Sequence, residues 1–163
     1  MAKIEAKLAE MGLVLPQPLQ MPGDVRMSPP FAWVRVSGKR AFVAGHVPLN
    51  PDGTIAQPVG KVGAEVSPDE GYSAARLVAL AQLASLQRAL GDLDRITAWL
   101  RVFAMVNVAP TFDQTPRIAN GFSDLILELF GPDIGTHARS AVGMVLPLNV
   151  PVECEAEVEI DGA

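Results

Sequence analysis

Cys154 is the only cysteine, so no disulfide can close within the chain, and nothing in its cysteine usage points to an oxidising compartment. Histidine is almost as scarce. His46 and His137 stand alone, with no paired cysteines, so no metal is expected. No glycine loop precedes a helix in the way that cradles phosphate, and no Gly-x-Ser-x-Gly elbow presents a serine nucleophile. A nucleotide cofactor and a serine triad therefore drop out, leaving cofactor-free chemistry or a binding role. Charged residues make up only 19% of the chain, and the net charge of −5 comes without any basic stripe to neutralise phosphates. Nucleic acid is not an expected partner. No segment approaches the ~20 apolar residues of a spanning helix. The opening MAKIEAKLAEMG places acidic residues where a signal peptide needs an apolar core. The expectation is a cytoplasmic protein with no membrane partner.

Apolar residues are abundant instead, at 49% of 163 residues with a mean hydropathy of +0.25. That length suits one hydrophobic core. So apolar a chain has little charge with which to cover a monomer's surface, and part of that surface is expected to meet another subunit.

Ile4, Leu8 and Met11 recur at helical spacing and Gly12 follows, so residues 3–11 read as a short helix. Residues 15–30 hold prolines at 16, 18, 22, 29 and 30 and cannot run as a helix or a central strand. This divides the chain into an N-terminal helix and proline-rich arm, residues 1–28, and a single domain, residues 29–163. Residues 31–36 and 40–44, joined by Ser37-Gly38-Lys39, form a hairpin signal, and Asn50-Pro51-Asp52-Gly53 reads as a turn. Ser67-Pro68-Asp69-Glu70 is a capping box with proline at the first helical position, opening a helix that runs to Leu90 before Gly91.

Residues 96–106 alternate as a strand, with Ile96, Ala98, Leu100, Val102, Ala104 and Val106 on one face and Trp99, Phe103 and Met105 on the other. Apolar on both faces, it reads as a central strand covered twice. Thr115-Pro116 opens a second helix with the stripe Ile118, Phe122, Leu125, Ile126 and Leu129, closed by Gly131-Pro132. Residues 139–146 and 152–160 are the last two strands. In the final one Val152, Cys154, Ala156, Val158 and Ile160 alternate with four glutamates. The expected fold is α+β, a mixed sheet with two helices on one face and the other face left for subunit packing.

Arg139 stands at a strand end, where a planar two-pronged donor can grip a carboxylate. A structural ion pair with a strand glutamate is the commoner use of such a residue, and on the residues alone both readings are open. The glutamate comb is open in the same way, between a solvated face and one working acid. Glu153 is the candidate, because adjacent antiparallel strands would bring it toward Arg139 across the turn at residues 147–151. His46, after Ala44-Gly45 at a strand end, has room for a ligand but also suits a hydrogen-bonded structural role. Cys154 alternates inward and reads as core.

The ordered set Ala44-Gly45-His46-Val47-Pro48-Leu49-Asn50, Asn120-Gly121-Phe122-Ser123-Asp124, His137-Ala138-Arg139-Ser140-Ala141-Val142 and Val152-Glu153-Cys154-Glu155-Ala156 resembles the reactive-intermediate deaminase family, also called RidA or YjgF. The likeness runs from about residue 31 to residue 160, and the arm resembles the longer, YjgF-like subgroup. The resemblance implies a chorismate-mutase-like fold, a homotrimer with clefts between subunits, and cofactor-free hydrolysis of 2-imino acids or their enamine tautomers to 2-keto acids and ammonia. By the same resemblance Arg139 holds the carboxylate of a 2-imino or 2-keto acid and Glu153 positions the attacking water. Phe31, Gly45, His46 and Ala141 fall among the substrate-binding positions. Phe31 stands where the deaminases have a tyrosine and Ala141 where they have a cysteine, and the loop after Met144 is shorter. Two other classes stand behind this reading: a carboxylate-binding or chaperone-like trimer without turnover, and, last, an endoribonuclease.

Overall fold

The computed structural model describes residues 3–21 and 29–162, and everything below concerns those residues. Pro22, and with it the middle of the proline-rich arm, lies outside them. Helix α1 (Lys3–Glu10) is short for a free-standing helix and is held by tertiary contacts. Ile4 and Leu8 are buried in the core, and the Asp94 carboxylate accepts from the Lys3 and Ile4 amides at 2.7 and 3.0 Å. Its end at Gly12 follows the expected glycine stop.

Strands β1 (Val34–Ser37) and β2 (Arg40–His46) form the hairpin, though β1 starts after Phe31. Helix α2 (Pro68–Leu90) opens on the capping box, with Ser67 and Glu70 bonded reciprocally. Strand β3 (Ile96–Asn107) is followed by helix α3 (Thr115–Gly135), in which Gly131 breaks the helical path before one more turn. Strands β4 (Ala138–Met144) and β5 (Val152–Ile160) complete the chain. The sheet order is β1-β2-β5-β3-β4, antiparallel except for the parallel pair β3 and β4. Its helix-covered face is packed by α2 and α3, whose apolar stripes are buried as expected. Among the described residues no helix is long and apolar enough to cross a membrane.

One expectation fails at β3. Irregularities in its pairing with β5, between Ile96 and Ala98 and again between Trp99 and Arg101, shift the alternation. Trp99 therefore turns to the helix face, 1% exposed, edge-on to Phe122 and Phe130 at 5.8 Å from each, while Leu100 moves to the open face. Helices cover the strand on one side only, as expected. Phe103 and Met105 are half-buried on the other, beside exposed Phe42 and the glutamate comb.

Cys154 lies fully buried under α2, and burial pushes its thiol well above the ordinary range. Cys154→Ser is expected to lower the unfolding free energy by about 1–3 kcal/mol in urea titrations, since a hydroxyl there must find a partner. The native thiol should resist iodoacetamide until the chain unfolds, and rapid modification of the folded protein would contradict its burial.

Candidate active site

A bulge sets the site. Val43 pairs with Ala156 but His46 with Cys154, so β2 carries one extra residue opposite β5. His46 is thereby turned onto the helix face beside Cys154, and Gly45 is left where the Glu153 side chain folds across it. A Cβ at position 45 would collide with Glu153 Oε1, so glycine is required for that carboxylate position. Beside the bulge, Gln82 of α2 donates to the Cys154 carbonyl at 2.6 Å and ties the helix to the strand that carries Glu153.

A cavity of about 670 Å3 opens here, and Phe31, Gly45, His46 and Glu153 all line it. Its other walls include Leu19 and Met21 of the arm, Trp33, Arg88 of α2 and Leu148. The arm is held in place by hydrogen bonds from Gln17 N to Pro51 O, from Gln20 N to Gly53 O, and from Arg88 Nη1 to Pro16 O. Sequence reading missed this use of the arm, and also Arg88 and Ser85, because each depends on pairing across the fold.

Within the cavity wall both ring nitrogens of His46 are engaged. Its Nδ1–H donates to Ala44 O at 2.7 Å, and its Nε2 lies 2.8 Å from Ser85 Oγ, which itself accepts from Arg88 Nη2 at 3.0 Å. Ser85 Oγ can accept from Arg88 and still give its own proton to Nε2, the arrangement that suits a neutral ring. Burial, with Arg88 adding to it, lowers the His46 pKa from 6.5 to about 4. Glu153 moves the opposite way, held above the ordinary carboxylate range by burial and by the Glu155 charge. Among the described residues no cation pairs with it.

Arg139 lies elsewhere. β3 is inserted between β4 and β5, so the two strands flanking the 147–151 turn are not neighbours, and the expected juxtaposition of Arg139 and Glu153 does not form within one chain. Arg139 is level with Val102 and Glu153 with Met105, which places their Cα atoms about 14 Å apart by strand spacing. The arginine faces α3. Its Nη1 donates to Ser123 Oγ at 2.8 Å, and Nη2 donates to Pro116 O at 3.2 Å and Asn120 Oδ1 at 3.0 Å. Ser123 Oγ in turn sits 2.9 Å from Nε2 of His137, whose Nδ1–H donates to Gly135 O at 2.7 Å. Ala141, two residues along β4, accepts at its carbonyl from Thr115 Oγ1 at 3.0 Å and does not line the cavity. Every acceptor on Arg139 is neutral, so the ion pair with a strand glutamate is not made among the described residues.

One acidic group could suggest a metal: Glu5, Asp92 and Asp94. Asp94, Asp92 and Oε1 of Glu5 accept the backbone amides of Lys3, Ile4, Leu93 and Asp94 as caps, and Glu5 Oε2 is buried without a partner among the described residues.

These features describe a small α+β protein with an apolar cavity and, on its edge strand, an arginine oriented by neutral acceptors. The chain belongs to the YjgF family: the family model described as "YjgF/chorismate mutase-like, putative endoribonuclease" matches residues 5–155. Protein TCP17 of Trypanosoma cruzi is 42% identical over 126 residues, covering 77% of this chain and 78% of that protein. The structure of Atu1372, a protein of unknown function from Agrobacterium tumefaciens, superposes with a TM-score of 0.84 at 36% identity, covering 98% of this chain and 94% of that one. A Shewanella oneidensis structure carrying the same endoribonuclease description gives 0.85 at 30% identity, with 97% and 99% covered.

The neutral His46 makes stability depend on pH in a definite direction. Between its folded pKa of about 4 and its unfolded value of 6.5, the unfolded chain binds a proton that the native site refuses. Stability should therefore fall on acidification through that window, by up to about 3 kcal/mol from this group, with His137 acting in the same sense. Urea unfolding at a series of pH values measures the slope. His46→Gln should flatten it, and an unchanged slope in that variant would remove His46 as its source.

Proposed function

We propose that this chain is a cofactor-free deaminase of reactive 2-imino acids and their enamine tautomers, with its site shared between neighbouring subunits of a homotrimer. One observation carries the reading: Glu153 and Arg139 are opposite charges, each without an opposite partner among the described residues, and they lie apart within one chain. Arg139 is on the edge strand β4, where a neighbouring copy can bring its own Glu153 alongside. The half-buried apolar residues on the open sheet face favour that packing.

At such a junction Arg139 grips the substrate carboxylate, a charge-assisted contact worth roughly 1.5–3 kcal/mol. Glu153 of the neighbour orients a water against the imine carbon and takes its proton as the C–O bond forms. The resulting carbinolamine collapses with the proton delivered to nitrogen, releasing ammonia and leaving the 2-keto acid, so imine plus water balances keto acid plus ammonia. General-base help of this kind supplies about 10²–10⁴ in rate, and an imine is already electrophilic. The raised pKa of Glu153 suits it to accept a proton. Gly45 makes room for that carboxylate, and neutral His46 with Phe31 shapes the wall.

Phe31 and Ala141 contribute apolar surface only, which also suits a carboxylate-binding trimer without turnover. A ribonuclease is less well served. His46 and His137 are separated by β5 and β3, and each is held by a serine hydroxyl and a backbone carbonyl.

Imines made in place by an amino-acid oxidase test the reading through ammonia and keto-acid release. Glu153→Gln should cut turnover by about 10²-fold or more with 2-keto acid binding nearly unchanged, whereas Arg139→Lys should weaken both. The acid limb of kcat/KM should lie above the ordinary glutamate range, following the raised Glu153 pKa. Sedimentation should report a trimer for all three proteins. Pyruvate binding without imine hydrolysis in the parent would favour the binding protein, and an Arg139→Lys variant unchanged in both measures would end the carboxylate-clamp assignment.

A further inference from the structure

Arg88 stands in surroundings that repeat those of Arg139. Its Nη2 donates to a serine hydroxyl, Ser85, at 3.0 Å, and its Nη1 to a proline carbonyl, Pro16, at 3.2 Å. Arg139 likewise uses Ser123 and the Pro116 carbonyl. Each serine meets Nε2 of a histidine, His46 or His137, and each histidine is bound through Nδ1 to the carbonyl two residues before it. In both places the guanidinium is set in direction by neutral acceptors alone, and among the described residues no carboxylate lies at ion-pair distance from either. An oriented cation with spare donors and no counter-charge is a receptor for an anion.

The two differ in what they face. Arg88 is exposed and lines the same cavity as Glu153, and the rest of that lining is largely apolar, with Leu19, Met21, Phe31, Trp33 and Leu148 in it. At about 670 Å3 the cavity falls in the range that holds drug-sized ligands, far beyond the needs of a three-carbon acid. Pro16 takes one N–H of Nη1 and Ser85 one N–H of Nη2, which leaves three of the five guanidinium donors of Arg88 without a partner among the described residues. We propose that Arg88 is a second anion anchor, and that the preferred ligands are 2-imino and 2-keto acids whose side chain is apolar along its length and ends in a carboxylate. This rests on the shared-site reading for the position of the reacting carbon, with Arg139 of the neighbouring copy holding the first carboxylate.

Two 2-keto acids of equal length, 2-oxoadipate and 2-oxohexanoate, isolate the far carboxylate, and calorimetric titration measures their binding without any turnover. The parent protein should bind 2-oxoadipate about ten-fold or more tightly than 2-oxohexanoate, as one charge-assisted contact allows. Arg88→Met should bring the ratio to within about two-fold, and Arg88→Lys, which keeps the charge without the planar fork, should leave an intermediate ratio. Because the ratio is read within each protein, a variant whose arm has shifted and which binds both acids more weakly is still informative. Equal binding of the two acids by the parent, absence of binding, or an Arg88→Met variant that keeps the parent's ratio would overturn the anchor. Diacid preference without imine hydrolysis would uphold Arg88 and end the deaminase reading. Imine hydrolysis without that preference would do the reverse.

Discussion

The structure depends on β5 being paired along both edges, to β2 on one side and β3 on the other. A strand so held cannot slip by one residue without exchanging its two faces. Val152, Cys154, Ala156, Val158 and Ile160 are therefore fixed toward α2 and α3, and Glu153, Glu155, Glu157 and Glu159 toward the open face. Most of the comb is ordinary surface: Glu157 pairs with Arg40 at 2.9 Å and Glu159 accepts from Thr97 at 3.0 Å. Glu153 differs through its neighbour. The bulge in β2 sets Gly45 against it, and a carboxylate that would otherwise be solvated is half withdrawn from water.

What was legible in the sequence was local. The capping box at Ser67, the alternation of β5 and the apolar stripe of α3 each need only a few consecutive residues to declare themselves, and all three form as read. The α+β class follows from their order. Trp99 was misread because nothing in residues 96–101 marks the two pairing shifts, which arise from how β3 meets β5. The approach of Arg139 to Glu153 was misread for a topological reason. A turn between two strands suggests that they pair, but β3 occupies the place between them.

The candidate site divides along the same line. Arg139, Glu153 and Gly45 were visible through the motifs they stand in, and Phe31 through the family resemblance alone. Ser85 and Arg88 were not, although three-residue spacing puts them on one face of α2. Their partners are His46, from a strand, and Pro16, from the arm, so the meaning of that face appears only once the fold has closed. Ser123 was in view as part of a motif, yet its link to His137 and Arg139 spans a helix, a loop and a strand.

The two arginine relays also explain why neutral acceptors suit this fold better than carboxylates would. A glutamate paired with Arg139 would satisfy the guanidinium and compete with any incoming acid for its fork. Serine, asparagine and proline carbonyl oxygens fix its plane without an ion pair among the described residues, at the cost of partly withdrawing a cation from water. Each histidine then has one task, which is to take the serine proton so that the serine lone pairs face the arginine. A protonated ring would need that hydroxyl as an acceptor, set two cations at either end of one serine, and turn the donor order around. Keeping His46 and His137 neutral is thus part of aiming the arginines, and burial of both rings does so through the physiological range.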